Sequence, residues 1–239
     1  MRDAREDWRR FDAGMIPSKD ATPNLDGFLA TMMAADASKP PRVVLDVGCG
    51  GGRLARRLYE RGFSVLGVDI SPAAISLARG LVVPTTAGRW LRFGEADFAS
   101  ERCPRLDGGP FDLVVCQLVI SIIGNKDNRR NLLRHAHAHL RPGGWLYLSA
   151  SGVSDTINPG YARLYAADGQ VTGERHSYLS RDDRGGILYM THHFTADELK
   201  SLLAEAGFGR ISVTTERETS SRRPDEAAFF HHATCRAAG

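Results

Sequence analysis

The sequence has little of what marks secreted, membrane-spanning or disulfide-stabilised proteins. Its 239 residues include four cysteines and no CxxC pair, so we predict neither a disulfide scaffold nor a zinc knuckle. The longest apolar run, 113–124, is shorter than the roughly 20 residues of a transmembrane helix. The N-terminal stretch MRDAREDWRRFD is charged throughout, unlike a secretory signal. These absences favour a cytoplasmic protein with reduced thiols and no membrane partner.

A strong charge of either sign is also missing. Lysine and arginine total 31 against 28 for aspartate and glutamate, which gives a net charge of +3. Nucleic-acid-binding domains usually carry a larger and more clustered positive charge, so no nucleic acid partner is expected. Hydrophobic residues make up 42% and charged residues 25%, which is the ordinary composition of a globular domain.

What the sequence does contain is a regular alternation of strand-like and helix-like segments. The predicted strands are 43–45, 63–68, 90–93, 111–116 and 145–150. The predicted helices between them are 53–61, a segment opened by Ser71-Pro72, and 128–140. Continuous apolar strands that alternate with helices indicate a doubly wound, parallel α/β sheet covered on both faces. The segment Pro142-Gly143-Gly144 predicts a turn before the last of these strands.

The strongest local signal is the glycine loop DVGCGGG at 46–52, which follows the first predicted strand. A loop at the carboxyl end of a parallel strand borders the crevice where open α/β sheets bind ligands, and glycines let the backbone approach one closely. Asp69 ends the next strand, where a carboxylate can accept hydrogen bonds from both hydroxyls of a ribose. The spacing is GxGxG rather than the GxGxxG of dinucleotide sites. Asp46 would repel a pyrophosphate but would suit a cationic ligand.

Five motifs in register give the sequence a resemblance to a known family. They are DVGCGGG at 46–52, VLGVDIS at 65–71, GEADFAS at 94–100, FDLVVCQLV at 111–119 and LRPGGWLYLS at 140–149. Over roughly 42–150 the chain resembles the class I S-adenosylmethionine-dependent methyltransferases. The resemblance implies a Rossmann-like, seven-stranded, mostly parallel sheet with an antiparallel last strand. It also implies S-adenosyl-L-methionine as methyl donor and S-adenosyl-L-homocysteine as product.

The same resemblance implies a set of cofactor-binding residues. They are Asp46, Gly48, Cys49, Gly50, Gly52, Asp69, Ile70, Asp97, Phe98 and Gln117. The glycines would line the amino-acid part of the cofactor, with Asp46 nearby. Asp69 would hold the ribose, and Gln117 would lie near the methionine part or the substrate.

The adenine would be held by residues that follow the second and third strands. Ile70 would pack on the ring, and Asp97 would accept a hydrogen bond from the adenine amino group with Phe98 beside it. The chain is then a single methyltransferase domain in four parts. These are a helical cap (1–40), a cofactor-binding core (41–150), a polar lid or insertion after the fifth strand (151–192), and a closing helix with a strand pair (193–239).

Substrate contacts are expected where the helical cap, the end of the fourth strand and the lid meet. The candidates are Trp8, Phe11, Met15, Gln117, Ser121, Tyr161, Tyr165, Tyr178 and Tyr189. Their aromatic rings could form a wall for a planar or cationic small molecule. The alternative is that they only pack the lid onto the sheet.

Histidines supply the candidates for a catalytic base, which is needed only if the nucleophile is protonated at neutral pH. His176, His192 and His193 flank the lid, and histidine titrates near neutrality. His135 and His139 are spaced i,i+4, but no third ligand accompanies them. For these two we predict a solvated helix face and no metal site.

The leading hypothesis is methyl transfer from S-adenosylmethionine to an oxygen or nitrogen of a small molecule. A methyltransferase acting on RNA or protein stays open, although the fourth strand ends in Cys-Gln-Leu-Val rather than the Asn/Asp-Pro-Pro-aromatic sequence of enzymes that methylate exocyclic base amines. A cofactor-binding subunit without catalysis also stays open. A nicotinamide oxidoreductase is least favoured by the glycine spacing. Monomer and homodimer are both compatible with the sequence.

Overall fold

The computed structural model describes Trp8 and residues 23–34, 42–85, 88–182, 184–220 and 226–238. The helices of these segments are α1 (Pro23–Ala34), α2 (Arg53–Glu60), α3 (Pro72–Arg79), α4 (Lys126–His139), α5 (Pro159–Thr172) and α6 (Ala196–Glu205), with a 3-10 turn at Ile120–Ile122. The strands are β1 (Val43–Val47), β2 (Ser64–Asp69), β3 (Leu91–Glu95), β4 (Phe111–Gln117), β5 (Leu140–Ser151), β6 (Ser177–Arg181), β7 (Ile187–His192), β8 (Phe208–Thr219) and β9 (Ala227–Ala237). None of the described helices combines the length and apolar composition of a transmembrane span.

The central sheet has seven strands in the order β3-β2-β1-β4-β5-β9-β8. The first five of these strands are parallel, and β9, the last strand of the chain, runs antiparallel to both β5 and β8. The predicted fold class is therefore confirmed. The order of the strands reverses between β1 and β4, and ligand crevices of open α/β sheets lie at such a reversal.

Helices cover both faces of the sheet, and each face has its own apolar core. On one face, leucines and alanines of α1, α2 and α3 pack against β1, β2 and β4. On the other face, α4 and α6 pack against β4, β5 and β9. Burial of the strands on both sides explains why their sequences are continuous apolar runs instead of alternating ones.

Local capping signals place the helix starts where the sequence predicted them. The hydroxyl of Ser71 accepts a hydrogen bond from the amide of Ala74, and Pro72 occupies the first helical position of α3. Thr195 caps α6 in the same way by accepting from the amide of Glu198 at 3.1 Å. These caps fix helices directly after strand ends, which brings the loops of the carboxyl edge together.

The prediction that a turn at 142–144 precedes the fifth strand is wrong, because these residues belong to the strand itself. Strand β5 begins at Leu140 and runs through this segment, and the pairing with β4 skips from Leu140 opposite Phe111 to Trp145 opposite Leu113. The extra residues form a bulge, where Gly143 has a φ of +70°. A turn and a bulge use the same proline and glycine chemistry, so the residues alone did not distinguish them.

The segment 151–192, called the lid below, contains helix α5 and the strands β6 and β7. Asn158 caps α5 by accepting from the amide of Gly160 at 2.9 Å, and Pro159 stands at the first helical position. Strands β6 and β7 then pair as a separate two-stranded sheet. The chain returns to the core where Gly152 and Phe194 form an isolated bridge. Both ends of the lid therefore meet at the carboxyl end of β5.

Candidate active site

The glycine loop turns sharply from β1 into α2, because Gly48, Gly50 and Gly52 adopt φ values of +72°, +52° and +82°. The amides of Gly48 and Cys49 both donate to the carbonyl of Val68, at 2.8 and 3.0 Å, which ties the loop to β2. A Cβ added at Gly48 would lie 2.3 Å from Val119 Cγ2, whereas one added at Gly50 would meet no atom within 4 Å. The loop is thus closed on the β4 side and open at Gly50.

Asp46 is a buried carboxylate without a counter-ion directly before this loop. It is 2% exposed, and its Oδ2 atom has no hydrogen-bond partner among the described residues. Burial, followed by the charge of Asp69, raises the pKa of Asp46 to about 7, although the backbone amide of Ala55 lowers it. An unsatisfied buried acceptor costs free energy, so this oxygen is suited to a ligand that brings a positive charge.

Asp69 stands at the end of β2, opposite the glycine loop. Its Oδ2 accepts from the amide of Gly50 and its Oδ1 from the amide of Ser71, both at 2.9 Å. Burial raises the pKa of Asp69, and the amides of Ser71, Gly50 and Ile70 act in the opposite direction. Each carboxylate oxygen keeps a further lone pair after these contacts, as the predicted ribose role requires.

The other predicted cofactor residues lie along the same edge. Ile70 follows Asp69 and is half-buried, and Gln117 ends β4. The Oδ1 atom of Asp97 accepts from the amide of Ala99 at 2.9 Å. The ring of Phe98 is buried in the core and lies 5.4 Å from the ring of His139.

The sulfur of Cys49 is enclosed beneath the loop instead of facing the crevice. Its side chain is buried, and an added Cβ at Gly67 would lie 3.0 Å from its Sγ. Burial, then the charges of Asp46 and Asp69, raise the pKa of this thiol. Cys49 therefore contributes a neutral wall to the loop and offers a ligand its backbone only.

Of the predicted substrate contacts in the helical cap, Trp8 is described and Phe11 and Met15 lie outside the described residues. Trp8 Nε1 donates to the carbonyl of Ile122 at 3.2 Å, and its ring lies 4.6 Å from that of Tyr189. The cap and the lid thus meet over the 3-10 turn that follows β4.

The predicted aromatic wall is a self-packed cluster. The ring centroids of Tyr161, Tyr165, Tyr178 and His193 lie 4.8–6.3 Å apart. Leu118, which follows β4 with a φ of +61°, packs against this cluster. Tyr161 is buried, so it packs the lid onto the sheet, while Tyr165 and Tyr178 are half-buried. The cluster therefore adjoins the end of β4 but presents only part of its surface to a ligand.

Ser121 lies below this surface and joins two loops. Its side chain is buried, and its hydroxyl accepts from the amide of Ser151 at 2.7 Å. That bond fixes the 3-10 turn after β4 to the end of β5. Ser121 therefore positions the two loops, and its predicted contact with substrate stays a prediction.

Both ring nitrogens of His192 already have partners. The Nδ1 atom lies 2.7 Å from the hydroxyl of Ser177, and Nε2 lies 3.0 Å from Glu198 Oε1. The side chain is 3% exposed. His192 is thus held in a hydrogen-bond network, and its role as a catalytic base stays a prediction.

His193 and His176 lie beside Tyr165. The Nδ1 atom of His193 is 2.7 Å from the hydroxyl of Tyr165, and the amide of His193 donates to the carbonyl of His176 at 3.0 Å. Burial, followed by the charge of Arg175, lowers the pKa of His176, which keeps it neutral at pH 7. A groove of about 510 Å³ runs along α5, with Tyr165, His176 and Asp155 in its wall. The structure thus brings two of the three predicted histidines to the aromatic cluster.

Comparisons with known proteins agree with this geometry. A family model described as a methyltransferase domain matches residues 22–213. The chain belongs to this methyltransferase family.

Two solved structures and one curated relative illustrate the similarity. An S-adenosylmethionine-dependent methyltransferase of Methanosarcina mazei superposes with a TM-score of 0.74 at 23% identity, covering 86% of this chain and 97% of that one. The 1,6-didemethyltoxoflavin-N1-methyltransferase of Burkholderia thailandensis, with bound 1,6-didemethyltoxoflavin and S-adenosylhomocysteine, has a TM-score of 0.58 at 23% identity and covers 91% and 79%. A ubiquinone biosynthesis O-methyltransferase of Pseudomonas paraeruginosa (strain DSM 24068 / PA7) is 32% identical over 108 residues, which are 45% of this chain and 44% of the relative. The chain thus spans less than half the length of that curated relative.

The cofactor of this family, S-adenosylmethionine, fits the residues present. Its sulfonium and ammonium groups match the buried, unpartnered oxygen of Asp46, and the space beside Gly50 and Gly51 is open, since an added Cβ at either meets no atom within 4 Å. Asp69, the last residue of β2, supplies the carboxylate that would accept hydrogen bonds from the ribose hydroxyls. The resemblance inferred from the five motifs is thereby confirmed at the level of family and fold.

Sequence reasoning missed a buried charged network in this chain. Arg129 of α4 is 1% exposed; it donates to the carbonyl of Ile123 at 2.9 Å and pairs with Glu174, which follows α5. Glu174 Oε2 also lies 3.5 Å from Nδ1 of His192, whose Nε2 faces Glu198 of α6. Burial raises the pKa of Glu198, but the contact with His192 and the charge of Arg129 outweigh it, so the net shift is downward. No sequence signal pairs residues 45 positions apart.

The structure also corrects the prediction of a solvated histidine face on α4. His135 is buried with its Nδ1 3.1 Å from the carbonyl of Phe98, and burial lowers the pKa of its ring. His139 Nε2 lies 3.0 Å from the carbonyl of Pro104. His135 is therefore packed inside and His139 is half-buried, and each of these two rings contacts a backbone carbonyl.

Proposed function

We propose that the protein transfers the methyl group of S-adenosylmethionine to an oxygen or nitrogen atom of a small molecule in the cytoplasm. The observation that carries the proposal is the pairing of an open glycine loop with the uncompensated carboxylate of Asp46 and with Asp69 on the neighbouring strand. A cationic nucleoside needs this combination, whereas the pyrophosphate of a nicotinamide cofactor would be repelled by it.

The nature of the methyl acceptor is supported by the lid. Leu118, directly after β4, packs against the same buried group (Tyr161, Ala228 and Phe230) as Tyr165 and Tyr178, and the ring of His193 lies 5.3 Å from that of Tyr178. Partly exposed aromatic rings beside a hydrogen-bonding tip suit a planar or phenolic molecule better than a polymer. The names of the relatives, a ubiquinone biosynthesis O-methyltransferase and a 1,6-didemethyltoxoflavin-N1-methyltransferase, refer to O- and N-methylation of non-polymeric molecules.

The cofactor supplies an activated methyl group, and the protein's own residues align the acceptor with it and receive its proton. Alignment accounts for much of the rate of such a displacement. We assign proton acceptance from an O–H nucleophile to His176 at the groove or, by relay through the hydroxyl of Tyr165, to His193, which is itself buried. Neutral His176 is able to accept a proton at pH 7 because its pKa is lowered.

The assignment is tested by a transfer assay with S-adenosylmethionine labelled in the methyl group. Catechols, other phenols, N-heterocycles, a metabolite extract and bulk RNA serve as separate acceptors. We expect label in one or more small molecules and none in RNA. Label in RNA or in protein alone would contradict the proposed acceptor class, and no label anywhere despite bound cofactor would indicate a binding subunit without catalysis.

Single substitutions then separate the two histidines. If His193 or His176 is the base, its alanine variant lowers kcat by about 10²–10⁴-fold with an O–H acceptor and leaves the Kd of S-adenosylmethionine unchanged. His137→Ala is a matched control, because this histidine of α4 packs against the ring of Phe208, outside the lid. Wild-type kcat in both lid variants would remove the base assignment.

A further inference from the structure

Three side chains of types that bind metal ions meet on one face of the antiparallel pair β8–β9. One oxygen of Glu216, one oxygen of Glu218 and one ring nitrogen of His232 all lie within 4.8 Å of one another. Strand β8 supplies both glutamates and β9 supplies the histidine. In the sheet, β4, β5 and β9 separate β8 from β1, so this group lies apart from the glycine loop.

The register of the two strands explains why these side chains converge. Thr214 lies opposite His232, and Glu216 lies opposite Phe230. Alternate residues of a strand point to the same face, so both glutamates share the face of His232. Glu216 is then the diagonal neighbour of His232, at a distance that long side chains can bridge. The convergence is therefore a property of the sheet and not of a local sequence motif.

His232 is a buried residue whose ring is fixed from outside the group. Its side chain is 5% exposed, and its Nε2 atom lies 2.7 Å from Glu218 Oε1. Its Nδ1 atom lies 2.9 Å from the hydroxyl of Tyr147, which is 1% exposed. A metal-bound imidazole typically donates its other N–H to a fixed acceptor outside the ligand set, which orients the ring. The hydroxyl of Tyr147 occupies that position, and Nε2 faces the two carboxylates.

The neighbouring His231 shows the arrangement of a purely structural histidine in the same strand. Its Nδ1 atom lies 2.9 Å from the hydroxyl of Thr215, and its Nε2 atom lies 2.9 Å from the carbonyl of Phe194. Both partners are neutral, whereas His232 faces two carboxylates. One imidazolium could balance only one of these negative charges, and Glu216 forms no ion pair within the segments that the structure describes. Like charges this close repel, and a divalent cation would compensate both.

We propose that Glu216, Glu218 and His232 bind one divalent transition-metal ion, and that zinc suits this ligand set. Imidazole nitrogen and carboxylate oxygen bind zinc at about 2.0–2.2 Å, which places the ligand atoms of a tetrahedral site about 3.3 Å apart. The contact between His232 and Glu218 widens slightly on binding, and the exposed side chain of Glu216 adjusts to close the site. Three protein ligands leave the fourth position to water.

The bound ion stabilises the edge of the sheet. Strand β8 is the outermost strand and pairs only with β9 within the described sheet. Two ligands on β8 and one on β9 join these strands by their side chains in addition to the backbone. An ion that binds the folded chain and not the unfolded one raises the free energy of unfolding. Because β4, β5 and β9 lie between this edge and β1, the ion is structural and does not act on the cofactor.

Calorimetric titration of the full chain, without an affinity tag, with ZnCl₂ tests the site. The parent protein carries Cys103→Ser, because this exposed thiol lies 3.8 Å from His139 Nδ1 and could bind zinc by itself. We expect one equivalent of zinc in the parent and binding weaker by about tenfold or more in Glu216→Gln and in Glu218→Gln. Glu205→Gln on α6 is the matched control, since it makes the same chemical change outside the group and should keep the parent's affinity.

Thermal unfolding gives a second readout. Zinc should raise the melting temperature of the parent, and this shift should disappear in Glu216→Gln, whose exposed side chain is not needed for folding. Tyr147→Phe keeps all three ligands and removes the hydroxyl that holds the ring of His232. It should weaken zinc binding by about tenfold, which a chance pair of surface carboxylates would not show.

Equal zinc affinity in the parent and in both glutamine variants would overturn the inference, as would loss of all zinc binding on Cys103→Ser alone. A Kd of S-adenosylmethionine that changes when zinc is added would contradict the structural role. The inference does not depend on the proposed function. A chain that binds zinc at this site but not S-adenosylmethionine would refute the proposed function only, and the reverse result would refute the metal site only.

Discussion

The glycine loop after β1 and the lid after β5 both contain buried charged groups, but they treat those groups in opposite ways. At the loop, Oδ2 of Asp46 has no hydrogen-bond partner within the part of the chain that the structure describes. In the lid, Glu174 lies between Arg129 and His192, and Asp168 accepts both Nη atoms of Arg181, at 2.9 and 2.6 Å. The carboxylates of the lid are thus paired with cations, whereas the carboxylate at the loop is not; within the lid network, Arg129 Nε has no hydrogen-bond partner among the described residues. The loop therefore keeps a charged group that a ligand can pair with, whereas the lid uses its charged groups to stabilise its own fold.

The largest effects should come from removing the charge that each region buries, and their signs should be opposite. The pKa of Asp46 is raised from 3.8 to about 7, so the folded state binds more protons than the unfolded chain between these values. Stability contributed by the protonated form is therefore lost as pH rises from about 4 to about 7. Asp46→Asn should stabilise the ligand-free protein by an amount on the order of 2–4 kcal/mol at pH 8 and by almost nothing at pH 4. Urea unfolding at the two pH values measures this, and destabilisation at pH 8 would contradict it.

In the lid, Glu174→Gln should destabilise the protein by about 2–3 kcal/mol, because Arg129 would remain buried without its carboxylate. Glu205→Gln is the control, since its contact with Arg130 is 3.3 Å long and both side chains are about half exposed. That change should stay within about 0.5 kcal/mol. Equal losses in the two variants, measured by urea unfolding, would show that the network adds no more than a surface ion pair.

The backbone of the loop can be tested separately from its charge. In Gly48→Ala the new Cβ would clash with Val119 Cγ2, and alanine would have to adopt a φ of +72°. We expect the free energy of unfolding to fall by about 2–3 kcal/mol. Gly51→Ala meets no atom within 4 Å and should be nearly neutral in the ligand-free protein. Similar melting temperatures for the two variants would mean that the loop tolerates a different path.

The smallest effect concerns the ribose contact. Asp69→Ala should weaken S-adenosylmethionine by about 1–3 kcal/mol, since two hydroxyls lose their acceptor. Asp97→Ala probes the adenine end in the same titration and should give a smaller loss, because one amino group is affected. Unchanged affinity in Asp69→Ala would remove the ribose role.

The cofactor half of the site could be predicted because its chemistry is local in sequence. A strand, a glycine turn and an acid at the next strand end lie within 43–69, and each has its own signature. The pairing of Arg129 with Glu174 could not be predicted, because it depends on the packing of α4 against a turn 45 residues away. The same reason hid the burial of His135. Helix α5 does have a sequence signal: Asn158-Pro159 is typical of a helix start, and Tyr161 and Tyr165 follow at the spacing of one helix face.

The central claim is that the loop after β1 holds a cationic nucleoside and not a dinucleotide. Calorimetric titration of the full chain with S-adenosylmethionine, and separately with NAD, tests it most directly. We predict saturable one-to-one binding of S-adenosylmethionine that is weakened in Asp69→Ala, with no heat from NAD. Binding of NAD without binding of S-adenosylmethionine would contradict the account.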